Sequence, residues 1–409
     1  MYELIAGCRS CGSPDLEEIL SLGDTPLADR LLDTARLNQP EPRCPLDVVF
    51  CSDCSLVQIR ATVEPEILFD DDYPYFSSFS DELLDHSREN ADRLVASRGL
   101  GPDSLVIEIA SNDGYMLKNF KAQGVPVLGI DPVPGPADVA VKQGIPTLRE
   151  FFGLELAERL AAGGTLADVV LANNVLAHVK DLNGFVAGIE RILKTDGVVV
   201  IEVPYVRDLI DHCEFDTIYH EHLCYFSVSA LSRLFERHGL SLSNVEHYPI
   251  HGGSLRLFAT RNEPPSGPVR DYLEAEVDSG LTTSNYYQNF ATRVRQTQEA
   301  LRDMLRSLKE EGHRIAAYGA AAKGAVLLNS TGIDGTLIDF VVDRNLHKHG
   351  RFMPGVRIPI YDPAKLLEER PAYTLLLSWN FKDEILAQQH EYRDGGGRMI
   401  VPIPTPQVV

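Results

Sequence analysis

The stretch LVIEIASNDGYML, residues 105–117, predicts a strand that ends near Glu108, a tight turn and the first turn of a helix. Small residues, which let a backbone approach a ligand closely, fill the turn: Ala110, Ser111, Asn112, Asp113 and Gly114. The next strand ends at Asp131, 23 residues after Glu108, where a carboxylate can accept hydrogen bonds from ribose hydroxyls. The GxGxxG pattern of dinucleotide-binding folds is absent. We therefore expect either a site for a cofactor that contains a ribose or an ordinary strand–turn–helix unit without a ligand.

Strand-like apolar runs alternate with helical stretches on both sides of this segment. In a central block the strand candidates are residues 104–110, 125–131, 167–174 and 197–204. In a later block they are residues 314–319, 337–343, 373–379 and 398–404. Such alternation predicts an α/β fold with mostly parallel sheets covered by helices. We predict three domains, at residues 1–80, 81–245 and 246–409.

The composition of the 409-residue chain limits its partners. Lys and Arg number 38 against 59 Asp and Glu, and the net charge of −21 argues against duplex nucleic acid as a partner. The N-terminal MYELIAGCRS has neither the basic nor the apolar region of a secretory signal. No apolar run approaches the roughly 18 residues that a membrane span requires. We expect a cytoplasmic protein without a membrane partner, whose cysteines stay reduced.

The cysteines include two CxxC pairs, CRSC at 8–11 and CSDC at 51–54, separated by 39 residues. Each pair can place two thiolates on one ion, and two pairs complete a tetrahedral zinc site with no open position. The predicted ligands of a structural zinc ion are Cys8, Cys11, Cys51 and Cys54. Free or redox-active thiols are the alternative. The remaining cysteines, Cys44, Cys213 and Cys224, show no ligand spacing.

The stretch IYHEHLCYFS, residues 218–227, holds Tyr219, His220, Glu221 and His222 in succession. A metal site is one interpretation, but the two histidines would share a face only on a strand, and the pattern is not HExxH. A polar loop ahead of a helix is another. The third is an acid/base site, in which a histidine titrates near neutral pH while the adjacent phenol and carboxylate set its pKa and orientation.

The order of an acid, a small-residue turn and a second acid resembles class I methyltransferases, which bind S-adenosylmethionine. The resemblance implies a cofactor site made of Glu108, Ala110, Ser111, Asn112, Gly114, Asp131 and Asn173. Asn173 belongs to LANNVLAHV, residues 171–179, in which His178 is expected to face the cleft. Ala110 departs from the glycine that many methyltransferases carry, which narrows the space beside the cofactor without blocking it.

A wider set of motifs resembles the sugar C-methyltransferases of deoxysugar and antibiotic sugar biosynthesis. In the family's order these motifs are the CxxC pairs, YPYFSSFS (73–80), EIASNDG (108–114), YHEH (219–222), HGGSLR (251–256) and YGAAAKG (318–324). They span nearly the whole chain. The resemblance implies a zinc-binding N-terminal domain, a central methyltransferase domain and a C-terminal Rossmann-like domain. The first and last domains would together hold a nucleotide sugar.

Methylation of carbon needs a base that removes a proton next to a ketone and donors that stabilise the enolate. The resemblance makes His222 the base, with supporting roles for Tyr219, Glu221, His178 and Tyr73. Simple packing is the alternative for Tyr73 and His178. The resemblance places substrate-binding residues at Ser77, Ser78, His251, Arg256, Tyr318 and Lys323. Lys323 would offer its charge to a diphosphate, unless its turn is the remnant of a duplicated domain.

The resulting hypothesis is an S-adenosylmethionine-dependent C-methyltransferase with structural zinc. Its expected substrate is a thymidine diphosphate-linked 4-keto-deoxyhexose, methylated at C-3. An O- or N-methyltransferase would not need a base beside a ketone-binding pocket. An interaction protein that contains zinc and a degenerate methyltransferase fold would not need Glu108, Gly114 and Asp131. The sequence leaves the choice between monomer and homodimer open.

Overall fold

The computed structural model describes residues 1–68 and 76–409, and its elements fall into three groups along the chain. The N-terminal group comprises β1 Tyr2–Leu4, β2 Leu16–Pro26, β3 Arg43–Cys51, β4 Val57–Ile59, β5 Ala61–Val63 and α1 Pro65–Leu68. The central strands are β6 Val106–Ile109, β7 Val127–Ile130, β8 Thr147–Leu148, β9 Ala167–Asn173, β10 Leu193–Pro204, β11 Cys224–Tyr225, β12 Ser241–Tyr248 and β13 Ser254–Thr260. The central helices are α2 Asp81–Arg98, α3 Leu117–Ala122, α4 Pro134–Lys142, α5 Leu154–Ala162, α6 Leu182–Ile192, α7 Val206–Asp211 and α8 Val228–Glu236.

The C-terminal group begins with two long helices that lead into a second α/β unit. Its helices are α9 Gly267–Asp278, α10 Phe290–Glu310, α11 Ala322–Thr331, α12 Lys365–Glu369, α13 Lys382–Gln388 and α14 His390–Asp394. Its strands are β14 Ile315–Tyr318, β15 Val341–Val342, β16 Ile360–Tyr361, β17 Tyr373–Leu376, β18 Arg398–Val401 and β19 Gln407–Val408. Short 3₁₀ turns lie at Ser77–Phe79, Leu176–His178, Phe215–Thr217, Ile250–Gly252, Ser284–Tyr287, Leu346–Lys348 and Trp379–Phe381.

The central sheet has the strand order β12-β13-β10-β9-β6-β7-β8. Strands β10, β9, β6, β7 and β8 run parallel, whereas β13 is antiparallel to both of its neighbours. Every residue of β6 is buried, because helices cover both faces of a parallel sheet. The carboxyl ends of β6, β7 and β9 meet at one edge, which brings Glu108, Asp131 and Asn173 to the same side of the sheet.

The central sheet extends beyond the predicted domain boundary at residue 245. That boundary falls within β12, and β13, which lies inside the predicted third domain, pairs with β10 along Val199–Pro204. The reason is a β12–β13 hairpin whose second strand fills the edge of β10. The last residue of this sheet along the chain is therefore Thr260.

The N-terminal sheet has the order β11-β4-β3-β2, with β1 and β5 paired separately. Its β11 strand is not N-terminal in sequence but follows the YHEH stretch directly. The N-terminal domain therefore takes one strand from the middle of the chain, and this exchange ties it to the candidate catalytic segment.

The C-terminal sheet has the order β16-β15-β14-β17-β18-β19 and is parallel except for the last pair. The N-terminal domain meets this one through backbone hydrogen bonds in both directions between Leu32 and Phe352. Glu41 adds contacts to Gly355 and Arg357. Within residues 1–68 and 76–409, no helix combines the length and apolar character that crossing a bilayer requires.

Candidate active site

The turn after β6 is wound through the left-handed region of backbone conformation. The φ angle is +56° at Ala110, +49° at Asn112 and +80° at Gly114. A Cβ atom at Gly114 would collide with the side chain of Ile145, so this position requires glycine. Ala110 occupies a conformation that glycine adopts without strain, and its methyl group costs roughly 1–2 kcal/mol there. The conformation explains why glycine suits position 110.

Buried oxygen atoms without hydrogen-bond partners line this turn. Glu108 is 1% exposed, and neither of its carboxylate oxygens has a partner among the described residues. Burial, aided by nearby Asp131 and Asp113, raises the pKa of Glu108 well above its usual value. Further oxygens in the same state within the described part of the chain are Ser111 Oγ, Asp113 Oδ1 and Asn173 Oδ1. Buried acceptors are normally paired, so this set fits a ligand rich in donors, as the ribose and amino group of S-adenosylmethionine are.

Asp131 follows β7 and holds the cofactor turn from the adjacent strand. Its Oδ2 accepts the Asn112 N–H at 2.8 Å, and its Oδ1 accepts the Val133 N–H at 2.9 Å. Burial raises the pKa of Asp131 to about 6, against the two backbone donors, which favour its ionised form. Each carboxylate oxygen retains a lone pair for a ribose hydroxyl. The geometry therefore fits the cofactor role expected for Asp131.

The segment before α2 closes over the cofactor turn. The Ser77 N–H donates to Asn112 Oδ1 at 2.9 Å, and the Ser78 N–H donates to Asp113 Oδ2 at 3.2 Å. Ser77 and Ser78, which the resemblance assigned to the substrate, thus lie against the cofactor turn, and their substrate role stays a prediction. Tyr73 lies outside the described residues.

His222 is held by hydrogen bonds at both ring nitrogens. Its Nδ1 lies 2.9 Å from the Thr217 carbonyl oxygen, and its Nε2 lies 2.8 Å from the Tyr219 hydroxyl. A carbonyl can only accept, so in the neutral ring Nδ1 carries the proton and Nε2 accepts from the phenol. The basic lone pair of His222 is therefore directed at the Tyr219 hydroxyl.

His178 lies next to this pair. It ends the 3₁₀ turn after β9, and its ring stands edge-on to the His222 ring with centroids 4.7 Å apart. Burial lowers the pKa of His178 to about 4, so the ring is neutral at physiological pH. The structure thus brings His178, Tyr219 and His222 together, and a neutral His178 can offer a hydrogen bond but not a charge.

Glu221 and His220 face the N-terminal domain. Glu221 is 2% exposed, and burial, with a smaller contribution from Asp29, raises its pKa to about 8. His220 Nε2 lies 3.3 Å from the Pro45 carbonyl oxygen, and burial lowers the pKa of its ring. The buried carboxyl group of Glu221 is therefore protonated over much of the neutral pH range.

The N-terminal domain fixes the backbone that follows His222. The Ile59 N–H donates to the Leu223 carbonyl at 3.0 Å, and the Leu223 N–H donates to the Ala177 carbonyl at 2.7 Å. In the next residue pair, Cys224 opposes Gln58 across the β11–β4 ladder. The backbone of Leu223 thus connects the N-terminal sheet to the 3₁₀ turn that carries His178.

The CxxC pairs converge as the sequence predicted. The sulfur atoms of Cys8, Cys11, Cys51 and Cys54 all lie within 4.8 Å of one another, which suits one tetrahedral zinc ion. Gln58 Nε2 donates to Cys8 Sγ at 3.2 Å, a donor that would stabilise thiolate charge. Among the described residues this is the one cluster of His, Cys, Asp and Glu suited to a metal, and it excludes His220 and His222.

The remaining predicted substrate residues are dispersed. The Lys323 ammonium lies over the Trp379 ring and interacts electrostatically with the buried carboxyl groups of Asp216 and Glu214, so it is engaged by protein groups. Tyr318 is buried at the end of β14.

Arg256 is fully engaged within the central domain. Its guanidinium donates to Glu202 at 2.6 Å and lies 2.8 Å from His86 Nε2. A contact with substrate would require exchange of these bonds, so its role stays a prediction. The backbone of His251 lies in the Ile250–Gly252 turn, and its side chain is outside the described part of the structure.

Sequence reasoning missed Asp343, at the end of β15. Its Oδ2 accepts the Ala320 N–H and its Oδ1 accepts the Asn345 N–H, both at 2.7 Å. This is the bonding pattern of Asp131 repeated in the second α/β unit. Lys348 lies 3.7 Å from Asp343 and donates to the Ala320 carbonyl. The available signal was an acid at the end of the second strand in both blocks.

Comparison with known proteins gives three matching family models. They are described as "Putative zinc binding domain" for residues 8–69, "Methyltransferase domain" for residues 83–245 and "C-methyltransferase C-terminal domain" for residues 249–404. The chain is also 37% identical over 405 residues to the C-methyltransferase NovU of Streptomyces niveus, covering 98% of this chain and 96% of that protein.

The chain belongs to the C-methyltransferase family.

This C-methyltransferase also matches part of a ubiquinone biosynthesis O-methyltransferase from Azorhizobium caulinodans, with 28% identity over 30% of this chain and 47% of that protein. Among solved structures, magnesium protoporphyrin IX methyltransferase (ChlM) from Synechocystis with bound S-adenosylmethionine matches at 16% identity. Its TM-score is 0.33, with coverage of 44% of this chain and 82% of that chain.

The family assignment confirms several expectations from the sequence. The C-methyltransferase is an S-adenosylmethionine-dependent enzyme with α/β methyltransferase architecture. It carries a zinc-binding domain whose four-cysteine cluster is assembled in the structure. The alternatives of an O- or N-methyltransferase and of a degenerate interaction protein are thereby disfavoured.

Proposed function

We propose that this C-methyltransferase methylates a carbon next to the ketone of a nucleotide-linked 4-keto-deoxyhexose. C-3 is the proposed position and thymidine diphosphate the proposed carrier. The observation that carries the proposal is the orientation of His222. A neutral imidazole with its proton fixed on Nδ1 presents Nε2 as a base, which is the group that carbanion chemistry requires.

In the proposed reaction His222 Nε2 removes the proton from the carbon beside the ketone. The C–H electron pair moves into the enolate, and the proton resides on Nε2 while Nδ1–H stays bonded to the Thr217 carbonyl. The resulting imidazolium is stabilised by that carbonyl acceptor. General base catalysis of this kind contributes roughly 10²–10⁴-fold.

Tyr219, Glu221 and His178 supply the surrounding polar groups. On substrate entry the Tyr219 hydroxyl would exchange its bond to His222 for one to the enolate oxygen. A protonated Glu221 can donate a hydrogen bond to a sugar oxygen, and its raised pKa favours that form. His178, neutral and beside His222, is proposed as a further hydrogen-bonding group for the ketone or a neighbouring hydroxyl, as is Tyr73.

The proposed cofactor residues are those of the β6 turn and the adjoining strand ends. Asp131 would accept from the ribose, while Glu108, Ser111 and Asn173 would bind the polar groups at the buried edge. When bound, S-adenosylmethionine supplies an electrophilic methyl group. The closed segment Ser77–Phe79 would exclude water from this edge.

The nucleotide is proposed to bind between the N-terminal and C-terminal domains. Asp343 repeats the ribose-type geometry of Asp131, and Lys348 offers a cation beside it for phosphate. Asp29 of the N-terminal domain interacts electrostatically with both Lys348 and Glu221, which supports a site that extends from this edge to the catalytic stretch. The substrate roles of Tyr318, His251 and Arg256 remain proposals.

The test is turnover of dTDP-4-keto-2,6-dideoxyglucose by wild type, His222→Gln and Tyr219→Phe. We expect His222→Gln to lose roughly 10²–10⁴-fold in kcat while S-adenosylmethionine affinity is retained. His313→Gln, a partly exposed histidine paired with Glu311, serves as the control and should match wild type. A near-wild-type rate for His222→Gln, or a methyl group found on oxygen in the product, would refute the proposal.

Tyr219→Phe separates two routes for the proton. Direct transfer to His222 predicts that the variant still exchanges the C–H proton with solvent, but that exchange and methylation both slow by roughly 10²–10³-fold, since an enolate donor is lost while the base remains. A relay through the phenol predicts that Tyr219→Phe loses exchange as completely as His222→Gln does, which would remove His222 from direct contact with the carbon.

A further inference from the structure

The 3₁₀ turn Phe215–Thr217, directly before the catalytic stretch, is contacted by the C-terminal domain. The Trp379 indole N–H donates to Asp216 Oδ2 at 2.7 Å. The Lys323 ammonium lies 4.1 Å from the centroid of the same indole, within cation–π range. Trp379 of one domain thus contacts a carboxylate of another on its indole N–H and an ammonium group on its ring face.

This cluster is buried and consists of groups that can carry charge. Asp216 is fully buried, and Lys323 Nζ and Asp216 Oδ1 are both inaccessible and lack hydrogen-bond partners among the described residues. Glu214, 5% exposed, is a second carboxyl group beside Lys323. A buried charge requires an opposite charge nearby, so Lys323 and Asp216 depend on each other.

The cluster is connected to the base through the backbone of the turn. The Thr217 N–H and hydroxyl both donate to the Glu214 carbonyl, at 3.1 Å and 2.7 Å, which makes residues 214–217 one hydrogen-bonded unit. The carbonyl of Thr217 then accepts the His222 Nδ1–H. A displacement of Asp216 would therefore move the acceptor that sets the orientation and tautomer of His222.

We propose that Lys323 and Asp216 are positioning residues, through which the C-terminal domain aligns His222 for proton removal. The inference rests on the proposed role of His222 as base. It gives Lys323 a different function from the diphosphate contact that the sequence suggested. Trp379 contributes by donating to Asp216 and by covering the Lys323 ammonium.

Steady-state kinetics with dTDP-4-keto-2,6-dideoxyglucose distinguish the two functions of Lys323. For Lys323→Met and Asp216→Asn we expect kcat to fall roughly ten- to a hundredfold, since small displacements of catalytic groups have effects of this size. KM for the sugar nucleotide and the dissociation constant for S-adenosylmethionine should stay within about twofold of wild type, because the Lys323 ammonium and the Asp216 carboxylate are buried against protein groups. Lys365→Met, which removes an ion pair on the surface of α12, is the matched control.

Asp216→Asn distinguishes a loss of His222 positioning from a loss of folding. Asparagine keeps an oxygen acceptor for the Trp379 indole while it removes the charge, so the fold should be maintained even where Lys323→Met is unstable. Retained zinc content and retained S-adenosylmethionine binding verify that the variant is intact.

A measurement without substrate separates this inference from the proposed function. Two-bond ¹H–¹⁵N spectra of the histidine rings report the tautomer of His222 in the free enzyme. Wild type should show the Nδ1–H form, and the two variants should show an increased Nε2–H population, whether or not the tested sugar turns over. An unchanged tautomer, or a KM that rises at least about tenfold with kcat unchanged, would overturn the proposal.

Discussion

Replacement of Ala110 by glycine tests the account of the cofactor turn. Ala110 has φ +56°, a left-handed conformation that an L-residue with a Cβ atom adopts only with strain. Glycine reaches the same conformation freely. The substitution removes a single methyl group, and Ala110 is partly exposed, so little buried apolar surface is lost.

The magnitude follows from two opposing contributions. Relief of the left-handed conformation should stabilise the folded state by about 1–2 kcal/mol. The greater freedom of glycine in the unfolded chain should cost about 0.5–1 kcal/mol. The net expectation is a stabilisation of roughly 0.5–1 kcal/mol. Ala96→Gly, at an exposed position within α2, has no strain to relieve and should lose about 1 kcal/mol.

Hydrogen exchange of the β6 amides under native conditions is the appropriate assay. It reports the free energy of opening the central sheet and avoids the assumption that a chain of several domains unfolds in one step. Calorimetric titration should show that Ala110→Gly keeps its affinity for S-adenosylmethionine, because the turn geometry is unchanged. If Ala110→Gly destabilised the sheet as much as Ala96→Gly does, the strain argument would be refuted.

Three further predictions concern zinc and pH. Cys11→Ser should lose zinc, measured by atomic emission. It should also accelerate amide exchange over residues 219–225, because β4 is hydrogen-bonded to that segment. Cys44→Ala, outside the cysteine cluster, should show neither effect. S-adenosylmethionine affinity should weaken as pH falls through about 6, where Asp131 becomes protonated, and Asp131→Asn should bind weakly with no such dependence; a pH-independent wild type would contradict this. The pKa of Glu221 is raised from 4.5 to about 8, so the folded chain retains a proton that the unfolded chain releases. The contribution of this carboxyl group to stability is complete below pH 4.5 and is lost as pH rises to 8. When the urea midpoint is plotted against pH, Glu221→Gln should flatten this part of the curve. An unaltered slope would contradict the raised pKa of Glu221.

Local sequence patterns predicted the parts of the fold that local chemistry determines. The strand–turn–helix at residues 105–117 follows from an apolar run ended by small residues, and the cysteine cluster follows from the geometry of two CxxC pairs. The strand candidates of the later block are likewise present as β14, β15, β17 and β18. Each of these features depends on neighbours within a few residues or on one chelated ion.

Tertiary packing determined what the sequence did not predict. β13 lies in the central sheet because its hairpin pairs with β10, and nothing in the residues 254–260 themselves indicates that partner. Lys323 follows a small-residue turn that resembles a phosphate-binding loop, but domain packing brings its ammonium group over the Trp379 ring and within electrostatic range of Asp216. Ser77 and Ser78 bind the cofactor turn through backbone N–H groups, which carry no side-chain signal.

The most direct test of the central claim is solvent deuterium incorporation into dTDP-4-keto-2,6-dideoxyglucose, followed by mass spectrometry and NMR with cofactor withheld. If the imidazole at position 222 abstracts the proton, wild-type enzyme should place deuterium at C-3, and the His222→Gln variant should exchange at least about a hundredfold more slowly. Equal exchange by both proteins would show that another group removes the proton.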